Sequence, residues 1–188
     1  LVIWEKKGLA TVTEYNIYRE STVAGQYDRI GSLPYDALSV FVDTVADPAK
    51  QAWIYKITAT DECVNESDIN LCKPHKTIHL ITSTNMTTRD VQLSWYPYYG
   101  FAYGTYYIYR SPTLSNFTNI YSLASSTTAY TDNEANPENI LYYYRVAVER
   151  PSMCYPEGSG KKADSGPYSH SMSNIEDNRF QTGMKELN

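Results

Sequence analysis

The chain contains the stretch Tyr15-Asn16-Ile17-Tyr18-Arg19 and repeats it 91 positions later as Tyr106-Tyr107-Ile108-Tyr109-Arg110. Further on, Tyr55-Lys56-Ile57 returns as Tyr144-Arg145-Val146 at an offset of 89. A period near 90 residues is too long for a solenoid unit of roughly 20 to 50 residues, and it matches a β-sandwich module of about 100. The sequence therefore predicts two copies of one small domain.

Apolar residues alternate with polar ones wherever the two copies agree, as at Val91, Leu93 and Trp95. This period of two indicates strands, and helical spacing is hardly visible. We therefore expect an all-β chain of two tandem β-sandwiches. Leu1 aligns with the middle of the strand around Val91, so we expect the first sandwich to lack its first strand. The predicted core consists of Trp4, Tyr15, Ile17, Tyr55, Ile57, Leu93, Trp95, Tyr106, Ile108, Tyr142, Tyr144 and Val146.

The predicted domains are residues 1–74, residues 75–173 and a polar linker or tail at 174–188. Final strands are expected around 68–73 in the first copy and 167–172 in the second. Residues beyond 173 have no strand period, which is typical of a linker. Because few residues separate the last strand of one copy from the first strand of the next, the pair should be semi-rigid.

Composition excludes some partners. The formal net charge is −5 and no basic stripe is present, so we expect no nucleic-acid partner. No run approaches the roughly 20 apolar residues of a membrane span. We found no glycine-rich phosphate loop, nucleophile elbow or catalytic dyad, and we therefore expect no catalytic residues and no cofactor.

The segment between the second and third strands of the second copy is the most aromatic of the chain. Exposed rings could bind a sugar or a protein partner, because aromatic side chains offer contact area at low entropy cost. Alternatively, the rings fold over the end of the sandwich. The candidate ligand-binding residues are Tyr96, Tyr98, Tyr99, Phe101 and Tyr103.

The loop at 150–166 contains Lys161 and Lys162 and is longer than its counterpart in the first copy. It is either a binding loop or a mobile connector.

Three cysteines leave at least one unpaired. Cys63 and Cys72 could form a disulfide across a hairpin or remain two thiols, and Cys154 is expected to be a free thiol.

No metal site is expected. Asp61 and its acidic neighbours lack the order of a calcium loop and are interpreted as solvated turn residues. His75 and His79 are four residues apart, a spacing that pairs ligands on a helix but not on a strand. Asp43 and Asp132 occupy equivalent places, and we interpret them as residues that cap turns.

The Leu-x-Trp ending at Trp95, the Tyr-x-Ile-Tyr-Arg at 106–110 and the Tyr-Tyr-Tyr-Arg-Val at 142–146 resemble strands B, C and F of fibronectin type III domains. The resemblance covers most of the chain. It implies that Tyr142 makes the tyrosine corner, in which a hydroxyl bonds back to the backbone. The first copy has Trp53 at that position, which puts its corner in doubt.

Residues 60–67 with 75–80, and the tail at 173–179, are similar to segments of secreted or surface proteins of Bacteroidota. These include gliding-motility and adhesin-like proteins exported by the type IX route. The resemblance implies a non-enzymatic spacer or adhesion segment, extracellular or associated with the outer membrane, whose partner is a protein or polysaccharide at the cell surface. The alternative is an accessory region, for positioning or glycan binding, of an extracellular glycan-active enzyme.

Overall fold

The computed structural model describes residues 1–6, 11–160 and 165–179, and no α-helix is present among them. Among these residues, the first copy contains six strands: β1 (Val2–Ile3), β2 (Val12–Glu20), β3 (Tyr27–Pro34), β4 (Val40–Phe41), β5 (Ile54–Asp61) and β6 (His75–Lys76). The second contains eight: β7 (His79–Asn85), β8 (Asp90–Tyr96), β9 (Thr105–Ser111), β10 (Thr118–Ala124), β11 (Ala129–Asp132), β12 (Tyr143–Cys154), β13 (Tyr168–Met172) and β14 (Glu176–Asp177).

Each copy is an antiparallel β-sandwich of two sheets. In the second copy, β11-β8-β7 packs on β10-β9-β12-β13, with β14 also paired to β12. In the first, β1-β4 faces β3-β2-β5-β6, and no described residue pairs with the outer edge of β1 in the way that β7 pairs with β8. The repeat's prediction of two tandem β-sandwiches is therefore confirmed, and the strand order is that of the fibronectin type III fold which the resemblance implies.

Strand alternation builds the core. Along β8, Val91, Leu93 and Trp95 are buried while Gln92 and Ser94 are exposed, because successive side chains of a strand point to opposite faces. Of the predicted core residues, three are only partly buried, namely Trp4, Ile57 and Tyr142. The others are buried: Tyr15, Ile17, Tyr55, Leu93, Trp95, Tyr106, Ile108, Tyr144 and Val146.

The predicted final strand of the first copy is wrong. Residues 69–71 form a short 3-10 helix, whose first turn is capped by Asp68 accepting a hydrogen bond from the Asn70 backbone N–H at 2.8 Å. The strand lies later, where His75 pairs with Tyr55. The last strand of the first copy therefore ends at Lys76, two residues after the predicted boundary at residue 74.

The linker predicted from residue 174 is also wrong for 174–179. β14 pairs with β12, and the side chains of Asn174 and Asn178 are buried. The Asn174 amide accepts from the Leu80 N–H at 2.7 Å and donates to the Leu80 carbonyl at 3.0 Å. Asn178 accepts from the Tyr142 N–H at 3.0 Å. These side chains replace backbone partners, which stabilises a polar segment in a sheet. Residues 180–188 lie outside the described residues.

A buried carboxylate links three strands in each copy. Asp132 is 2% exposed, and its Oδ2 accepts from Arg110 at 2.8 Å and from the Tyr144 hydroxyl at 2.9 Å. Its Oδ1 accepts from the Glu134 backbone N–H at 3.1 Å. Oδ1 also accepts from Arg110, at 3.0 Å, so the capping interpretation describes only part of the role of Asp132, whose two oxygens both belong to a buried ion pair.

Asp43 makes the same contacts in the first copy. It accepts from Arg19 at 2.8 Å, from the Tyr55 hydroxyl at 3.0 Å and from two backbone N–H groups. Burial alone would raise the pKa of Asp43, but these hydrogen bonds outweigh it and lower that pKa. Burial and the neighbouring carboxylate raise the pKa of Tyr55. Asp43 therefore acts as an anion that ties strands together.

The corner that was in doubt in the first copy is made by an indole. Trp53 Nε1 donates to the Asp47 carbonyl at 2.9 Å, the backbone bond that a tyrosine hydroxyl makes in the tyrosine corner. Trp53 also covers the Arg19 guanidinium, whose carbon lies 4.9 Å from the ring centroid. Tyr142 covers Arg110 in the same way at 4.5 Å. Both residues therefore shield the buried ion pair from water.

We expect Asp132→Ala to lower the free energy of unfolding of the second copy by about 3 kcal/mol, because Arg110 and Tyr144 lose their buried acceptor. Urea unfolding and hydrogen exchange of β9 and β12 measure the change. Glu134→Ala, at an exposed neighbouring position, should change stability by less than ~0.5 kcal/mol. Equal stabilities of the two variants would contradict the role of the ion pair.

Candidate binding surface and interdomain joint

The aromatic loop between β8 and β9 divides its rings between inside and outside. Tyr98 is 7% exposed, whereas Tyr96 and Tyr99 are 46% and 55% exposed. Phe101 and Tyr103 are partly buried and pack against the core of the second copy. The candidate residues are therefore brought into one loop, but only two of the five present their rings to solvent.

The inner rings cover the end of the sandwich. The Tyr98 centroid lies 4.6 Å from that of Phe101 and 5.7 Å from that of Tyr103. The Tyr103 hydroxyl lies 2.6 Å from the Tyr106 hydroxyl, which accepts from the Tyr98 backbone N–H at 3.1 Å. Burial raises the pKa of Tyr98 to about 12. For these rings, packing accounts for the composition.

The outer rings lie beside a cation. Tyr96 stacks on His79, with centroids 5.8 Å apart and ring planes 16° from parallel. Lys76 Nζ lies 5.3 Å from the Tyr96 centroid. Lys76 and Tyr99 exchange two backbone hydrogen bonds, of 2.7 and 3.3 Å. Two exposed rings with an adjacent ammonium form a surface that can contact a ring or an acceptor group.

The joint between the copies contains both histidines. His75 Nδ1 lies 3.1 Å from the Tyr98 hydroxyl, and a Cβ at Gly100 would meet that hydroxyl at 2.3 Å, so only glycine fits there. His79 Nε2 lies 3.1 Å from the Ala49 carbonyl and must donate to it. The histidines therefore join the copies. In the described ranges, no three His, Cys, Asp or Glu residues are grouped to hold a metal ion.

The long loop of the second copy lies against the first copy. The Ser39 N–H donates to the Glu157 carbonyl at 3.0 Å, and the Glu157 N–H donates to Ser39 Oγ at 3.1 Å. Leu38 and Asp36 make two further backbone bonds with Ser159, at 3.2 and 2.6 Å. Neither a mobile connector nor an open binding loop describes residues 150–160. We call them the clasp. Lys161 and Lys162 lie outside the described residues.

An ion pair and a glycine complete the clasp. Arg150 donates to Glu5 Oε2 at 2.9 Å. At Gly158 the backbone has φ +133°, and a Cβ would lie 2.1 Å from the Ala37 carbonyl oxygen. The close approach therefore requires glycine.

The cysteines and the acidic turn supply no reactive site in the described residues. Cys63, Cys72 and Cys154 are free thiols in the structure, which is the second of the two alternatives for the first pair. Burial raises the pKa of Cys154 and so favours the less nucleophilic thiol. Asp61 accepts from the backbone N–H groups of Cys63 and Asn65, at 2.9 and 2.8 Å, as a turn residue does.

No protein-family model matches the chain, and no curated protein matches it. Pectate lyase Pel3 from Pectobacterium carotovorum is a similar solved structure, with 23% identity and a TM-score of 0.40 over 59% of this chain and 28% of the lyase. The FN1–FN3 domains of chicken CNTN1 are similar at 11% identity and a TM-score of 0.37, over 89% of this chain and 56% of that one. A segment of two fibronectin type III domains from chicken tenascin has 12% identity and a TM-score of 0.31, over 92% of this chain and 86% of that segment.

The chain spans about a quarter of the lyase and about half of the CNTN1 fragment. Within the described residues, no helix is long and apolar enough to cross a membrane.

We expect His75 to make the joint sensitive to acid. Burial, with Lys73 and Arg150 nearby, lowers the pKa of His75. The folded pKa thus lies below the unfolded value of about 6.5, so this contribution to stability is present above pH ~6.5 and is lost as the pH falls through the folded pKa. The urea midpoint should fall less steeply between pH 7 and 5 in His75→Phe than in the parent. His170→Gln is the control, and an unchanged slope in His75→Phe would contradict this role.

Proposed function

We propose that this chain is a non-catalytic spacer that holds two β-sandwiches in a fixed relation and presents Tyr96 and Tyr99 to a partner. The single observation that carries the proposal is the clasp, because it connects the copies at a second place besides the peptide chain. A flexible linker would leave the relative position of two domains free. Backbone pairing, a side-chain hydrogen bond at Ser39 and an ion pair at Glu5 oppose that freedom.

The direct join supports the same role. β6 ends at Lys76 in the sheet of the first copy, and β7 begins at His79 in the second. Thr77 is held to the first copy by two hydrogen bonds to Trp53. Its backbone N–H donates to the Trp53 carbonyl at 2.9 Å, and its side-chain Oγ1 accepts from the Trp53 N–H at 2.8 Å. The join therefore has little length in which to bend.

We further propose that the spacer belongs to a secreted or outer-membrane-associated surface protein of a bacterium of the phylum Bacteroidota. The junction and tail segments that resemble such proteins support this placement. The partner would be a protein or a polysaccharide at the cell surface. Fractionation of source cells, with detection of the chain in the surface or medium fraction, tests the location.

We expect Gly158→Ala to open the clasp, because the added Cβ overlaps the Ala37 carbonyl. The N–H groups of Leu38 and Ser39 should then exchange with deuterium at least about tenfold faster, since each loses its acceptor in the loop. Small-angle scattering should show a broader distribution of interdomain distances.

Gly160→Ala is the matched control, because Gly160 also has positive φ, +81°, but a Cβ there meets nothing within 4 Å. It also places alanine at a positive φ, but without the overlap. If both variants left exchange at Leu38 and Ser39 unchanged, the clasp would not hold the copies together and the spacer proposal would fail.

We expect the double variant Tyr96→Ala, Tyr99→Ala to weaken binding to a surface partner by about tenfold or more, as truncation of exposed aromatic contacts commonly does. The measurement is binding of parent and variant to an array of polysaccharides and matrix proteins. A polysaccharide ligand would favour the accessory role beside a glycan-active enzyme over an adhesive role toward proteins.

Tyr121→Ala is the control, because Tyr121 is equally exposed, at 50%, but lies on β10. Its ring stacks on Tyr130 with centroids 5.0 Å apart. Equal binding by the double variant and by Tyr121→Ala would exclude the loop as the contact surface.

A further inference from the structure

An open cleft of about 380 Å³ lies on the outer face of the second copy, where β9, β12 and β13 meet the clasp. Tyr103 and Tyr107 supply aromatic surface, and Glu149, Arg150 and Ser169 supply polar groups. The cleft does not include the exposed rings of Tyr96 and Tyr99. It is thus a second surface that the spacer role leaves unexplained.

The first copy shows what this face is like when it is covered. Thr60 pairs with Glu66 there, as Glu149 pairs with His170 in the second copy, so Glu66 and His170 occupy equivalent places. The Glu66 carboxylate accepts from the hydroxyls of Tyr18, at 2.8 Å, and Thr58, and it covers the sheet.

The second copy lacks two of the three groups that make this cover, and keeps only the tyrosine, as Tyr109. At the 89-residue offset, Ala147 stands where the first copy has Thr58, so no hydroxyl is available at that point of the sheet. Tyr107 stands where the first copy has Asn16, at the 91-residue offset. The duplicates therefore share an interior but differ on this face, and in the second copy an aromatic ring and a cleft replace a polar network.

The walls of the cleft are held in place before any ligand binds. The Tyr103 ring lies edge-on to Tyr106, with centroids 5.1 Å apart, and its hydroxyl also donates to the Tyr98 carbonyl at 3.3 Å. Glu5 of the first copy fixes Arg150 at 2.9 Å. Fixed side chains lose little entropy on binding. The clasp thus also shapes this site.

The charges in the cleft favour an uncharged ligand. Glu149 Oε1 lies 3.6 Å from His170 Nε2, and Arg150 is paired with Glu5. An anionic ligand would meet the Glu149 carboxylate and a cationic ligand would meet the Arg150 guanidinium, so each sign of charge is opposed by one wall of the cleft. Hydroxyl groups can instead donate to Glu149 and to the remaining lone pair of Ser169 Oγ, which lies 2.6 Å from His170 Nδ1, without displacing either pair.

We infer that this cleft binds a neutral oligosaccharide. The C–H faces of pyranose rings pack against Tyr103 and Tyr107, and the sugar hydroxyls bond to Glu149 and Ser169. Contact with rigid aromatic rings together with a few oriented polar groups is a common basis of ligand recognition. The inference goes beyond the spacer role, and its site differs from the surface of Tyr96 and Tyr99.

The test is titration of the full chain, by calorimetry and by NMR, with cellohexaose, xylohexaose and mannohexaose, and with hexagalacturonate as a charged probe. Gly104→Leu blocks the cleft, because a Cβ at Gly104 meets nothing within 4 Å and its side chain enters open space. Tyr107→Ala removes one ring. At least one neutral hexasaccharide should bind with Kd of about 1 mM or tighter, and both variants should weaken that binding at least about tenfold.

Tyr121→Ala and the double variant Tyr96→Ala, Tyr99→Ala are the controls, and both should keep full binding in the cleft. Failure of all three neutral sugars to bind, or binding of hexagalacturonate in their place, would overturn the inference. So would binding that Gly104→Leu retains. None of these outcomes affects the exchange experiment on Gly158→Ala, so failure of the cleft and failure of the spacer proposal are distinguishable.

Discussion

The buried aspartate of each sandwich is the contact on which the other features of the fold depend. A carboxylate away from water is costly unless its lone pairs are used. Asp43 uses them for an arginine, a tyrosine hydroxyl and two backbone N–H groups, and Asp132 does so for an arginine, a tyrosine hydroxyl and one N–H. The arginine lies on β2 or β9, the tyrosine on β5 or β12, and the aspartate just after β4 or at the end of β11. One carboxylate therefore fixes the two sheets relative to each other.

The joint between the copies follows from this arrangement. Because the buried pair fixes Tyr55 in β5, it also fixes the place where β6 can pair, and β6 leads almost directly into β7. Asn178 makes in the second copy the backbone contacts that Thr77 makes in the first. The end of the sandwich at Trp53 in the first copy and at Tyr142 in the second is thus closed by the same backbone hydrogen bonds, made by a threonine in one copy and an asparagine in the other. The clasp, which has no equivalent in the shorter loop of the first copy, adds contacts from the second copy back to the first, besides those that His79 and Tyr99 make at the joint.

The sequence predicted most of the interior and less of the edges. Alternation located β8, β9 and β12 because each has one face in the core. Alternation could not locate residues 174–178, because Asn174 and Asn178 are buried through side-chain bonds to the backbone and not through apolar area. The repeat showed that Arg19 and Arg110 occupy equivalent positions. This was the feature of the sequence that pointed to the buried ion pair. The ion pair itself required knowledge of which strands meet.

Composition could not separate the inner rings of the aromatic loop from the outer ones. Tyr98 and Tyr99 are adjacent and identical, yet one is buried and the other exposed, because neighbours in an extended segment point to opposite sides. The duplication provides a better criterion than aromatic content. Positions at which the copies agree serve the interior that both must build. Positions at which they differ on the same face, as Tyr107 differs from Asn16, are free of that requirement, and there a function specific to one copy can be found.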